Sequence, residues 1–148
     1  MRSEDYEEYL ESSYEIEGRD FIDAGIVSSQ IKKGLKSKGI PESIIRRIAV
    51  LTFEAEINII SYAHQGTISC YVLPDSVIIE AKDIGPGIED IELAQQEGYS
   101  TADDAIREMG FGAGMGLANI RKSSDTFEIS SVPGEGTYLK CVILLNGK

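Results

Sequence analysis

"SVIIEAKDIGPGIEDIELAQQEGYSTADDAIREMGFGAGMGLANIRK" runs from Ser76 to Lys122. It opens with Val77, Ile79 and Ala81 in alternation, the period of a half-buried strand. It then breaks twice, at Gly85-Pro86-Gly87 and at the alternating glycines from Gly110 to Gly116. Glycine in such quantity means that backbone bends sharply or comes close to something. Asp83 continues the period of two beyond Ala81, which puts a carboxylate on the apolar face of its strand, at the strand's end. A carboxylate there must be hydrogen-bonded or border a cavity. Two readings stay open: Asp83 caps its own Gly-Pro-Gly turn, or it accepts a hydrogen bond from a ligand amine. Thr137 is placed alike, at the end of a strand whose apolar face holds Leu139, Cys141 and Ile143.

Outward from this stretch, "TISCYVL" (Thr67 to Leu73) alternates and pairs with Ser76 to Asp83 through the turn at Pro74-Asp75. Upstream, Ile44, Ile48, Leu51, Ala55, Ile59 and Tyr62 keep the helical period, predicting a helix from Pro41 to near Gln65-Gly66. The run from Arg19 to Gly39 reads as an earlier helix, and Ser12 to Gly18 as a first strand. Residues 1–11 form an acidic leader, expected to be mobile, and 12–148 a single domain. Downstream, Glu89 to Gly98 reads as a short helix, Tyr99 to Gly114 as a mobile loop, and "MGLANIRKSS" as another helix. "DTFEISSV", the turn at Pro133 to Gly136 and "TYLKCVILL" complete a second hairpin. Hairpins separated by helices predict an α+β two-layer sandwich. Its sheet is mixed but mostly antiparallel, with helices on one face.

Charge and composition exclude several functions. The net charge of −11 repels nucleic acid and anionic membrane surfaces. No apolar run approaches the ~18 residues of a membrane span. The acidic N-terminus has the wrong sign for a signal peptide. Cys70 and Cys141 sit in strand-like runs without CxxC spacing and read as buried reduced thiols, which points to the cytoplasm. His64 is the only histidine, so HExxH zinc sites and histidine dyads are excluded.

The long helix carries Glu54 and Asn58 one turn apart, on one face. A carboxylate and a neutral oxygen at that spacing suit a base beside a hydrated magnesium ion, although such a pair is more often surface decoration. Glu56 is two residues out of phase and is expected in solvent. "GFGAGMG" fits neither GxGxxG nor a Walker A motif. It reads as a glycine-rich loop entering a helix N-terminus, where free N–H groups and the helix dipole can hold phosphate. That device would let an acidic protein bind a polyanion locally.

Taken in order, "EAEIN", "DIGPGI", "GFGAGMGL" and "GEGT" resemble the N box, the two glycine boxes and the terminal threonine motif of the GHKL (Bergerat-fold) ATPases. The resemblance covers about residues 12 to 146. No segment looks like a phosphoacceptor-histidine region, so the likeness narrows to the bacterial anti-sigma-factor and switch-protein serine kinases. "ADDAIREM" (Ala102 to Met109) lengthens the lid beyond the short form of the switch kinases.

The resemblance implies ATP and Mg2+ as cofactors. Asp83 would accept from the adenine amino group, with Thr137 supporting it, while Gly85 and Gly87 let backbone pass close to the base. Asn58 would ligate magnesium. Gly110, Gly112, Gly114, Met115, Gly116 and Leu117, with the following helix's N–H groups, would wrap the phosphates. Glu54 would orient or deprotonate an attacking serine hydroxyl. The implied activity is a serine/threonine protein kinase. Its substrate is a small antagonist protein, and its surface sequesters a sigma factor or other regulator. Related anti-sigma kinases are often dimers, so a homodimer is among the implied assemblies. A non-catalytic, ATP-gated binding module is the alternative. A stand-alone domain phosphorylating histidine on another protein is a more distant one.

Overall fold

Eight regular elements follow the hydrophobic periods in a computed structural model that describes residues 5–88 and 116–145. They are strand β1 (Leu10–Glu17), helices α1 (Ile26–Ser37) and α2 (Glu42–Tyr62), strands β2 (Gln65–Val72) and β3 (Ser76–Ile84), helix α3 (Gly116–Ser123), and strands β4 (Thr126–Val132) and β5 (Gly136–Leu144). The expected short helix from Glu89 and the loop and lid readings up to Gly114 lie outside the described residues. The strands form one sheet in the order β1-β2-β3-β5-β4. Every pairing among the described residues is antiparallel.

The central pair is β3 with β5, strands far apart in sequence. Their register sets Ala81 opposite Leu139 and Lys82 opposite Tyr138. The end of β3 therefore lies against the start of β5, and Asp83 comes beside Thr137.

All three helices cover one face of the sheet. Val27, Ile31 and Leu35 of α1 recur every four residues and are buried. They join Ile44, Ile48, Leu51, Ala55 and Ile59 of α2, Ile120 of α3, and Ile68, Val77, Ile79, Leu139 and Ile143 of the sheet in one core. Cys70 and Cys141 are free thiols within it. Burial pushes the Cys70 thiol up to about 12 and that of Cys141 up to about 11, so both stay protonated and unreactive. No helix among the described residues is long and apolar enough to cross a membrane.

The structure corrects three expectations. First, α1 begins at Ile26 rather than near Arg19. Gly25 at φ 98° precedes it, and no side chain of the preceding segment caps it. Second, Glu56 is not solvated but 1% exposed. Its carboxylate accepts the backbone N–H groups of Gly25 (3.0 Å), Val27 (3.2 Å) and Ser28 (3.2 Å). α2 packs against α1 on one side and α3 on the other, so a residue out of phase with the sheet-facing stripe is still inside. A carboxylate at a helix N-terminus satisfies orphan donors and complements the dipole.

Third, the leader expected to be mobile is partly built into the fold. β1 starts at Leu10, and Tyr6 is wholly buried. Its ring meets that of Tyr71 edge-on, with centroids 4.8 Å apart. Tyr6, Tyr71 and Ile78 form a small cluster on the face of the sheet opposite α1, α2 and α3. There Glu80, itself buried, accepts the hydroxyls of Tyr6, Tyr71 (3.3 Å) and Tyr138 (3.0 Å). Lys140, opposite Glu80 in the register, lies 5.1 Å from the Tyr6 ring centre. The periodic pattern missed this because Tyr6 is a single aromatic in a polar segment.

Candidate functional site

At the end of β3, Asp83 is half-buried and accepts the Thr137 backbone N–H at 3.0 Å. Burial raises its pKa above the usual carboxylate range, while the Thr137 hydrogen bond pulls it back. Among the described residues Asp83 therefore bonds across the sheet, and not to its own Gly-Pro-Gly turn. The strand's period of two turned its side chain to the helix face, as expected from sequence.

The turn after Asp83 is fastened to the β4–β5 hairpin. Gly85 N–H donates to Glu135 O (3.0 Å), Gly134 N–H to Pro86 O (2.7 Å), and Ile88 N–H to Ser131 Oγ (2.7 Å). A side chain on Gly87, at φ 73°, would meet Val132 O at 2.5 Å, and one on Gly136 would meet Asp83 O at 2.1 Å. These glycines let two backbones touch. The close approach that sequence assigned to a ligand is here made first to the protein itself. A Cβ on Gly85 would likewise fall 2.9 Å from Ala63 Cα, just past the end of α2.

The other half of the site lies along α2. Glu54 and Asn58 are both half-buried, facing α3. A Cβ on Gly116 would stand 2.9 Å from Asn58 Oδ1, and Asn119 Nδ2 donates to Glu54 Oε2 at 3.3 Å. The surface-decoration reading of the pair therefore fails. The structure brings together Glu54, Asn58 and Gly116 at one end, and Asp83, Gly85, Gly87 and Thr137 at the other. Leu117 packs partly against the core, so only its backbone is placed to serve a ligand. Gly110, Gly112, Gly114 and Met115 lie outside the described residues. At ~1.5 Å per residue, α2 covers about 12 Å from Glu54 to Tyr62, which sets the two ends of the site apart.

Two site residues escaped sequence reading. Asn119 gives no signal of its own. Ser131 does: it occupies the phase of Phe127 and Ile129 in β4 and lies opposite Thr137 in the register. A serine in an apolar phase beside a terminal GT is a polar group that must find partners.

The residues fit the implied cofactors. Among the described residues no cluster of three or more His, Cys, Asp or Glu could hold a metal ion. Magnesium needs no such cage, because it keeps waters and takes one or two protein oxygens plus phosphates. Asn58 would supply one such oxygen. A depression of about 290 Å³ lined by Gly18, Arg19, Ser61, Tyr62, Ala63 and His64 contains none of the predicted residues.

An antiparallel sheet with three helices on one side among the described residues, carrying Glu54 and Asn58 on the middle helix and Asp83 and Thr137 on the two central strands, is the architecture of an α+β ATPase domain. Residues 43–146 match the family of histidine kinase-, DNA gyrase B- and HSP90-like ATPases, and the chain belongs to it. It is 34% identical over 100 residues to the serine/threonine-protein kinase RsbT of Bacillus subtilis, covering 65% of this chain and 69% of that one. It is also 34% identical over 101 residues to an anti-sigma F factor of Caldanaerobacter subterraneus, covering 65% and 67%. The fold is similar to that in the crystal structure of the SiaB–SiaC complex from Pseudomonas aeruginosa. There the TM-score is 0.66 at 17% identity, over 95% of this chain and 94% of that one.

Proposed function

We propose that this chain is an ATP-dependent serine/threonine protein kinase that phosphorylates a small antagonist protein and sequesters a sigma factor or similar regulator. Its likeness to a serine/threonine kinase and to anti-sigma factors supports the reading. The single observation that carries the kinase activity is Glu54, half-buried one turn from Asn58 and held by Asn119. ATP needs no such carboxylate in order to bind.

Bound Mg-ATP supplies the transferable phosphoryl group and the charge neutralisation around it. Asp83 accepts from the 6-amino group of adenine, and Thr137 sits beside it. Asn58 offers its oxygen to magnesium, and the start of α3 presents N–H groups to phosphate. Glu54 orients the incoming serine or threonine hydroxyl and takes its proton. The hydroxyl oxygen bonds to the γ-phosphorus, the bond to the bridging oxygen breaks, and ADP leaves. Buried reduced thiols suit a cytoplasmic setting. A homodimer and a regulatory partner are further parts of the proposal.

Incubating the chain with labelled ATP and candidate antagonist proteins of the same genome tests this. Label on a serine or threonine of one antagonist is expected. A change in partner affinity with ATP but no label would instead support a nucleotide-gated binder.

A further inference from the structure

Ser131 Oγ makes three hydrogen bonds at the base end of the site: to Gly136 O (2.9 Å), to Ile88 N (2.7 Å) and to Thr137 Oγ1 (2.9 Å). A serine hydroxyl has one proton and two lone pairs. The carbonyl of Gly136 can only accept, so the Ser131 proton is spent there. The Ile88 N–H can only donate, and it fills one lone pair. The remaining lone pair faces Thr137, so the Thr137 hydroxyl must donate to Ser131. Its proton is thereby turned into the protein. Thr137 Oγ1 is left with lone pairs alone, next to the carboxylate that its own backbone N–H holds at 3.0 Å.

We infer that Ser131 is a positioning residue for nucleobase selectivity: by taking the Thr137 proton, it leaves Asp83 and Thr137 facing the base as acceptors only. Such an edge matches a purine whose 6-amino group donates to it directly. It rejects a 6-oxo purine, whose carbonyl would oppose two acceptors. A buried polar site of this kind discriminates through the pairing it leaves unmade. The inference rests on the proposed base-binding role of Asp83.

Calorimetry on the full chain with Mg-ATP and Mg-ITP tests it, since inosine carries the 6-oxo group and lacks the amine. The wild-type chain is expected to bind ATP more tightly. In Ser131→Ala the Thr137 hydroxyl can turn its proton toward the base, and the ATP-to-ITP ratio should fall roughly five- to tenfold, the worth of about one hydrogen bond. Ser131→Cys, which keeps the size but is a weak acceptor, should narrow the ratio too and serves if Ser131→Ala does not fold. Ser131→Thr keeps the hydroxyl and should keep the ratio. A merely structural role would weaken both nucleotides alike. An unchanged ratio in the folded Ala or Cys variants overturns the inference, as does wild-type binding of ITP as tight as ATP, or a ratio narrowed equally in Ser131→Thr. Asp83→Asn separates the two levels. If it weakens ATP while the Ser131 variants leave the ratio fixed, only the role of Ser131 falls. If it leaves ATP binding unchanged, the base assignment itself falls.

Discussion

Two carboxylates of the interior, Glu56 and Glu80, contrast with two at the cleft, Glu54 and Asp83. Glu56 accepts three backbone N–H groups, and Glu80 accepts three tyrosine hydroxyls. Glu54 accepts one hydrogen bond from Asn119, and Asp83 one from Thr137, among the described residues. All four lie on two elements: Glu54 and Glu56 are two positions apart on α2, and Glu80 and Asp83 three apart on β3. The interior pair has three donors to each carboxylate; the other pair has one donor each among the described residues. A buried carboxylate with its donors supplied is part of the scaffold. One that is held but not saturated is oriented for a ligand.

The comparison breaks first at Glu54. Glu54→Gln keeps the shape and the helix but removes the charge. It should lower phosphoryl transfer to the protein substrate by ~10²–10⁴-fold, with Mg-ATP affinity and melting temperature near wild type. Transfer at the wild-type rate would remove Glu54 from the chemistry.

Glu56→Ala should do the reverse. It leaves the N–H groups at the start of α1 without their acceptor, at a cost of about 3 kcal/mol, or roughly 150-fold in the folding equilibrium. Urea unfolding measures this; ATP affinity of the folded fraction should hold. An unchanged midpoint would show that α1 is capped another way.

Asp83→Asn should weaken ATP by roughly tenfold or more, because half of the acceptor becomes a donor. Calorimetry reads it, and undiminished affinity would take Asp83 out of the site.

The smallest effect is in pH. Burial raises the pKa of native Asp83, so the unfolded chain loses this proton first. The native state then holds more protons, and stability falls as pH rises from the ordinary carboxylate range through the raised value. The term should vanish in Asp83→Asn. Subtracting the two stability-versus-pH curves isolates it from the other carboxylates, and a difference that does not fall in that window would contradict the desolvation.

The α+β layering was legible because alternation agrees with burial in β2 and helical period with burial in α2, and because the apolar face expected of β3, at Val77, Ile79 and Ala81, is buried although its opposite face is buried too. Asp83, Glu54 and Asn58 were legible because polar groups interrupt those periods near glycine clusters. Glu56 was not, since a helix packed on two sides by other helices is buried over an arc that a single apolar stripe does not show. The start of α1 was misplaced for the same reason: its cap comes from α2, thirty residues on, and no local motif encodes it. Tyr6 was hidden because a lone ring in an acidic segment has no period. Ser131 has a signal, a polar residue in the apolar phase of Phe127 and Ile129, whereas Asn119 has none in the sequence.

The β3–β5 pairing bears on how the molecule comes together. β2 with β3, and β4 with β5, are hairpins that can close over short turns. The seam between β3 and β5 joins Lys82 to Tyr138 and cannot form until a long stretch of chain has been looped back. Closing that loop carries an entropic cost that grows with the logarithm of its length, and it puts the two halves of the molecule among its slow, non-local contacts. Asp83 and Thr137 lie at the end of this seam, so the base-reading end proposed above does not exist in either hairpin alone. Nucleotide that binds there holds the seam shut. At a hundredfold excess over its Kd it should add about 2.7 kcal/mol to the stability of the docked hairpins, acting as a clasp on a non-local joint of the fold.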